Sequence, residues 1–161
     1  MHFVVFNRGM KYELTNETKK INDKTLYRIK ALKDFGNVKK GDLGGFVQSE
    51  KNLSQRGSCW IYNEAKVYDG ARVCGEARVC DEAQVYDYAL ICDEALIYGH
   101  AQVFGHARVF DNARVYGNAD VYGYARVYDN AQVYGEAEVY GEVGVYGYAR
   151  VFDEAWAYSK D

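Results

Sequence analysis

The sequence predicts an all-β solenoid, and three observations predict it. A six-residue repeat runs without insertion or deletion from Ile61 onward, its first column is β-branched, and its fifth column is small. The unit reads Val-Tyr-Gly/Asp-x-Ala-x. The first column holds Ile61, Val67, Val73 and every sixth residue to Val151, and the fifth holds alanine from Ala65 to Ala155, with Val143 once in its place. A helix does not suit this pattern: a period of six drifts against 3.6, and glycine in every unit or two costs about 1 kcal/mol each. In the tetrad Ala-x-Val-Tyr, strand alternation sends alanine and valine to one side and tyrosine to the other. Gly or Asp followed by Asn, Glu, His or Tyr supplies a corner. Strands this short cannot bury their valines alone, so successive units wrap a common thin interior and stack coil on coil.

Upstream, Val47 and Leu53 lie six apart in the valine column, whereas Leu53 to Ile61 is eight, which places a two-residue bulge around Gln55 to Gly57. Coiling is expected from Phe46, giving a solenoid over 46–161 and a non-repeating segment over 1–45. That segment reads as a strand over His2 to Asn7, then Lys11 to Thr15 and Thr25 to Leu32 as a hairpin about Asn22-Asp23. A solenoid has open strand edges and a raw apolar end, so this segment is expected to be a β cap.

Val115-Tyr116-Gly117-Asn118-Ala119-Asp120 shows one unit in full. It resembles the motif of the hexapeptide-repeat superfamily, with an aliphatic residue first and a small one fifth. That resemblance implies a left-handed parallel β-helix of triangular section, three units and 18 residues to a coil. It is strong over 61–161 and looser back to Gly45. The departure lies in the second column, where Tyr, Phe or Cys stands in place of the family's Gly or small acid. The strings Leu26-Tyr27-Arg28-Ile29-Lys30-Ala31-Leu32 and Gly41-Asp42-Leu43-Gly44-Gly45-Phe46-Val47 are similar to the leader of bacterial and prophage hexapeptide-repeat proteins commonly labelled transferases.

With 18 residues to a coil, outward residues fall into ladders about 4.8 Å apart. One face carries Tyr68, Tyr86, Phe104, Tyr122, Tyr140 and Tyr158, aromatic throughout. Another carries Tyr62, Cys80, Tyr98, Tyr116, Tyr134 and Phe152, and the last Cys74, Cys92, Phe110, Tyr128 and Tyr146. Offset stacking contributes about 0.5–1.5 kcal/mol per pair, which alone gives tyrosine a structural role. Beside the all-aromatic ladder run Lys66, Gln84, Gln102, Asp120, Glu138 and Trp156. The other faces carry Arg78, Arg114 and Arg150, and Arg72, Arg108 and Arg126. These arginines can lie over tyrosines or pair with corner carboxylates such as Glu76 and Glu82. The Tyr68–Tyr158 face, little charged, is the expected contact surface, for a second copy or for an unidentified protein or carbohydrate partner.

The net charge of -3 conceals an asymmetry: residues 1–60 carry 12 Lys/Arg against 6 Asp/Glu, and residues 61–161 carry 8 against 17. Nucleic acid is therefore disfavoured as a ligand of the coils. An acidic rod that imitates nucleic acid, of phage origin, is a physically allowed alternative. The run Phe3 to Phe6 is too short for a signal-peptide core or a membrane span, and a cytoplasmic protein is expected. Cys59, Cys74, Cys80 and Cys92 lack CxxC spacing, so free thiols are expected, although Cys74 and Cys92 stack closely enough to pair.

The resemblance also implies an enzymatic alternative, an acyltransferase using acetyl-CoA with a histidine as general base between subunits. Its candidate residues here are His100 and His106, each equally readable as a corner residue like Asn112 or Glu94. No metal site is expected, because these two histidines fall on successive corners. The repeat glycines are corners rather than a phosphate-cradling loop. The balance favours a non-catalytic binding or structural module with no cofactor.

Overall fold

A computed structural model describes residues 9–159; the strand expected over His2 to Asn7 lies outside the described residues. The chain opens with an antiparallel hairpin, β1 (Tyr12–Ile21) and β2 (Lys24–Ala31), and β2 then pairs antiparallel with β3 (Leu43–Val47). The turn falls at Asn22-Asp23, with Asn22 left-handed (φ 53°), but β1 runs well beyond the expected Thr15. From β3 onward every pairing is parallel, because each strand meets the strand one coil on.

Each coil consists of three two- or three-residue strands formed by the sixth and first positions of the repeat, such as Lys66–Val67, Arg72–Val73 and Arg78–Val79. They stack into three sheets, of nine, five and six strands. Face I contains Lys66–Val67 and continues into the hairpin, face II contains Arg72–Val73, and face III contains Arg78–Val79. Register is exact at 18 residues: Val103 lies between Val85 and Val121, and Ile97 between Val79 and Val115. At the start the step is longer, Val47 meeting Val67 and Leu53 meeting Val73, before Ile61 meets Val79. The two-residue insertion therefore lies between Leu53 and Ile61, where it was expected.

The interior is one valine and one alanine deep. The valine-column residues from Ile61 to Val139 and the alanines from Ala65 to Ala137 are buried. Ala149 and Ala155 in the final described coil are exposed. Strand β3 belongs to both parts of the chain, because Gly44 and Gly45 let it press onto the first coil. A Cβ on Gly45 would stand 2.4 Å from Ala65 O, and one on Gly44 2.6 Å from Ile61 O. The insertion is plugged from below: buried Lys11 Nζ donates to Cys59 O (2.7 Å), Gly57 O (3.4 Å) and Arg56 O (3.5 Å), and Tyr12 Oη donates to Leu53 O (2.6 Å). Burial lowers the Lys11 pKa below the usual lysine range.

Corners explain the third column. Its residues are left-handed, Asp81, Asp87, Asp93, Asp111 and Asp129 at φ 54–59° and the glycines at φ 63–76°, a conformation open to Gly and tolerated by Asp and Asn. Aspartate adds a bond that glycine lacks. Asp93 Oδ2 accepts from Asp111 N (3.0 Å), Asp111 Oδ2 from Asp129 N (3.1 Å), and Asp129 Oδ2 from Gly147 N (3.0 Å), so each coil satisfies an amide of the next. Among the described residues no helix is long and apolar enough to cross a membrane.

Substitutions at Asp111 separate these two roles. Asp111→Asn keeps both and should be close to neutral, Asp111→Gly should cost about 1 kcal/mol for the lost bond, and Asp111→Ala about 2–3 kcal/mol because left-handed strain is added. Urea unfolding measures the order; a glycine variant less stable than the alanine variant would contradict it.

Candidate functional site

The expected ladder from Tyr68 to Tyr158 is present as a stack of rings and lies on face I. Its rings stack at centroid distances of 5.1 Å (Tyr68–Tyr86), 4.9 Å (Tyr86–Phe104), 4.9 Å (Phe104–Tyr122), 5.1 Å (Tyr122–Tyr140) and 5.3 Å (Tyr140–Tyr158), with planes within 9° of parallel. Ring faces are thus turned to one another. What reaches solvent is mainly edges and hydroxyls, which suits side-chain contacts better than the flat stacking of a sugar ring. The hydroxyls are held too: Tyr68 Oη donates to Gln84 Oε1 and Tyr86 Oη to Gln102 Oε1, both at 3.0 Å, pairing the second column with the sixth column of the next coil.

The solvent-facing part of the ladder begins one rung later than expected. Tyr68 is buried with Leu26 and Phe46, and Lys24 Nζ sits 5.3 Å from its ring centre while also pairing with Asp69. Burial, then the charges of Tyr86, Asp69 and Asp87, pushes the Tyr68 phenol up to about 12. The hairpin is fastened there by Glu64, which takes Lys19 and Arg28 together, the latter at 2.9 Å. Those hydrogen bonds hold the Glu64 carboxyl down to about 2.

Face III stacks Tyr98, Tyr116, Tyr134 and Phe152, and face II stacks Phe110, Tyr128 and Tyr146. At the foot of face II, Cys74 and Cys92 are joined as a disulfide with Cα atoms 4.8 Å apart, correcting the expectation of free thiols there. The parallel register puts the two residues directly above one another. Cys59 and Cys80 remain free, and burial pushes the Cys80 thiol up to about 11. Among the described residues no repeat arginine pairs with Glu76 or Glu82.

The two candidate histidines occupy different corners. His100 lies between faces III and I, its Nδ1 3.3 Å from a Glu82 carboxylate oxygen. His106 lies between faces I and II, sandwiched by Tyr88 (5.1 Å) and Tyr124 (4.9 Å) in a fourth ladder that runs up the corner itself. This ladder lines a cleft of about 500 Å³ with Gly70, Leu90, Arg72, Arg108 and Arg126. The sequence carried the signal, since Tyr88, His106 and Tyr124 are 18 apart, but treating the fourth column as interchangeable corner residues hides it.

A family model described as "YdcK Beta solenoid repeat" matches residues 101–117 and 113–129. Over 101–129 the central coils are similar to YdcK-type β-solenoid repeats. A 45-residue stretch is also 40% identical to the protein named "Uncharacterized acetyltransferase YdcK" of Escherichia coli (strain K12). That stretch covers 28% of this chain and 14% of the relative, so the match spans only a small part of the relative's length. The YdcK-type coils at 101–129 include Phe104 and Tyr122 of the face I ladder and His106, Arg108, Tyr124 and Arg126 of the corner.

Charge along face I is graded, and Asp120 marks its acidic end. Burial, then the Glu138 charge, raises the Asp120 pKa above the usual aspartate range. A carboxyl whose folded pKa is raised is penalised when ionised. The penalty is absent below its ordinary value of about 4, grows as pH rises toward the folded value, and is complete at neutrality. Asp120→Asn should therefore raise the melting temperature at pH 7 in dilute solution, with the gain vanishing at acid pH. An equal gain at both pH values would sink this reading.

Proposed function

We propose that this protein is a non-catalytic binding module whose face I is an interface for a second copy of itself. One observation carries the proposal: the row beside the ladder is self-complementary. From the hairpin end upward it reads Lys66, Gln84, Gln102, Asp120 and Glu138, one residue per coil, before Trp156 in the last described coil, and its five polar members are complementary about Gln102. A two-fold axis through Gln102 and Phe104, with the solenoid axes antiparallel, sets Lys66 against Glu138 and Gln84 against Asp120, each twice. Such isologous contacts are the commonest route to a closed oligomer. The neighbouring rings supply a rigid aromatic centre that loses little conformational freedom on binding, and aromatic residues dominate interface cores. The basic hairpin end, with Lys19 and Lys24, meets the acidic end of its mate.

Sedimentation velocity at high micromolar concentration tests this. The wild type should be a dimer that loosens with salt. Tyr86→Ser with Tyr122→Ser should give a folded monomer. Lys66→Glu should dissociate the dimer by facing Glu138 with a like charge, and adding Glu138→Lys should restore it. A monomeric wild type, or a Lys66→Glu variant that assembles unchanged, would overturn the proposal.

One observation favours a second reading, acyl transfer from acetyl-CoA: His106 lies in the large corner cleft beside Arg108 and Arg126, and the relative's name includes acetyltransferase. A general base must reach the proton it removes. An assay of acetyl-CoA turnover decides: on the binding-module reading no acetyl-CoA-dependent acyl transfer occurs, whereas turnover abolished by His106→Ala would establish the enzyme.

A further inference from the structure

The repeat region carries an excess of acid, yet one stretch of its surface is positive and unpaired. On face II, Arg72, Leu90, Arg108 and Arg126 lie one above the other in consecutive coils. All three arginines are exposed, and none has an ion-pair partner among the described residues. Stacked like charges repel, so the row is held at a cost that an anion would remove.

The corners differ in a way that sharpens this. Between faces II and III the fourth column reads Glu76, Glu94, Asn112, Asn130, and between faces III and I it reads Glu64, Glu82, His100, Asn118, Glu136, so the face III arginines stand beside glutamates. The corner beside the Arg72 row instead reads Gly70, Tyr88, His106, Tyr124. Several corner aspartates bordering these faces have other partners. Asp69 pairs with Lys24, Asp87 Oδ2 accepts from Gly105 N (2.9 Å), and Asp93 Oδ2 accepts from Asp111 N (3.0 Å). Glu142 follows Tyr124 in the fourth column and closes the stretch, so a long polyanion running along the rod would meet repulsion beyond the three arginines.

The aromatic side of the cleft is shaped as well. Tyr88 is 68% exposed, and Gly70 stands next below it in the ladder. A Cβ at Gly70 would meet Tyr88 Cδ1 at 2.9 Å, so only glycine lets this ring lie as it does, and among the described residues no aromatic ring other than His106 stacks on it. Leu90 forms an apolar floor between Arg72 and Arg108.

We propose that this corner binds a small phosphate monoester carried on a planar ring, with Arg72 and Arg108 reaching the phosphate from either side of Leu90, Arg126 adding positive charge one coil on, and the ring lying against Tyr88 over Gly70. A carboxylate is saturated by one guanidinium fork. A phosphate monoester brings nearly two charges and three acceptor oxygens, which suits the two forks that flank Leu90 with the further charge of Arg126 above them. The site is separate from the face I contact, and acyl transfer plays no part in it.

Calorimetric titrations with phenyl phosphate, inorganic phosphate and phenyl sulfate test the assignment. Phenyl phosphate should bind at least tenfold more tightly than inorganic phosphate, which lacks the ring, and more tightly than phenyl sulfate, which carries one charge fewer. Arg108→Ala with Arg126→Ala should weaken phenyl phosphate at least tenfold, Arg108→Lys should weaken it less, and Tyr88→Ala should bring it down to the level of inorganic phosphate. Unchanged far-ultraviolet dichroism shows that each variant folds, and an unchanged sedimentation profile shows that the face I contact is a separate matter. Absence of phenyl phosphate binding at millimolar concentration, or binding indifferent to the arginine variants, would overturn the proposal. Binding indifferent to Tyr88→Ala would overturn the ring contact.

Discussion

The structure depends on one constraint: an interior wide enough for a single layer of valine and alanine. Each hexad contributes one of each, the valine at the centre of a strand and the alanine beside the corner, and neither has room to grow. Burying an aliphatic side chain supplies about 1.5–3 kcal/mol, but here it does so only if the next coil lies in register. The exact 18-residue pairing from Ile61 upward is the geometric form of that demand. Once it holds, every other column is stacked on itself as well. Tyrosines become ladders, corner aspartates become caps for the amides above them, and like charges must be separated, neutralised or put to use.

Two kinds of surface follow from stacking. On face I the ring faces are spent on each other and the hydroxyls on Gln84 and Gln102, so the ladder is rigid and presents edges. A rigid, self-complementary strip favours a symmetric protein contact. At the corner between faces I and II the same stacking brings arginines together with a ladder that ends at a glycine, leaving charge and a ring face free. One repeat can thus serve two recognitions, with the difference lying in which residues occupy the second, fourth and sixth columns. The YdcK-type match over 101–129 covers the middle of both surfaces.

Most of the fold was legible because period and column identity determine which residues stack. The insertion between Leu53 and Ile61 and the turn at Asn22-Asp23 follow from local spacing and known conformational preferences, whereas Val103 over Val85 follows only once the resemblance to hexapeptide-repeat proteins supplies three units to a coil. What stayed hidden depends on contacts between distant segments. Lys11 reaches the carbonyls of Arg56, Gly57 and Cys59, and a lysine in a polar stretch of sequence gives no sign of being buried. The covering of Tyr68 by Lys24 and Leu26 likewise depends on how far β1 and β2 extend, and alternation alone does not set that length. The pairing of Cys74 with Cys92 was geometrically visible, but cysteine spacing along the chain argued against it. The corner ladder was missed for a different reason: the fourth column looks random in steps of six and becomes orderly only in steps of 18.

The most direct test of the account is a distance. Spin labels at Glu82 and Glu154, on one corner four coils apart in a background with the four native cysteines replaced, should give a narrow pulsed-dipolar distribution near 19 Å, four steps of about 4.8 Å. A distribution centred well beyond 30 Å, or one too broad to show a preferred separation, would contradict an 18-residue coil wound around a valine and alanine interior.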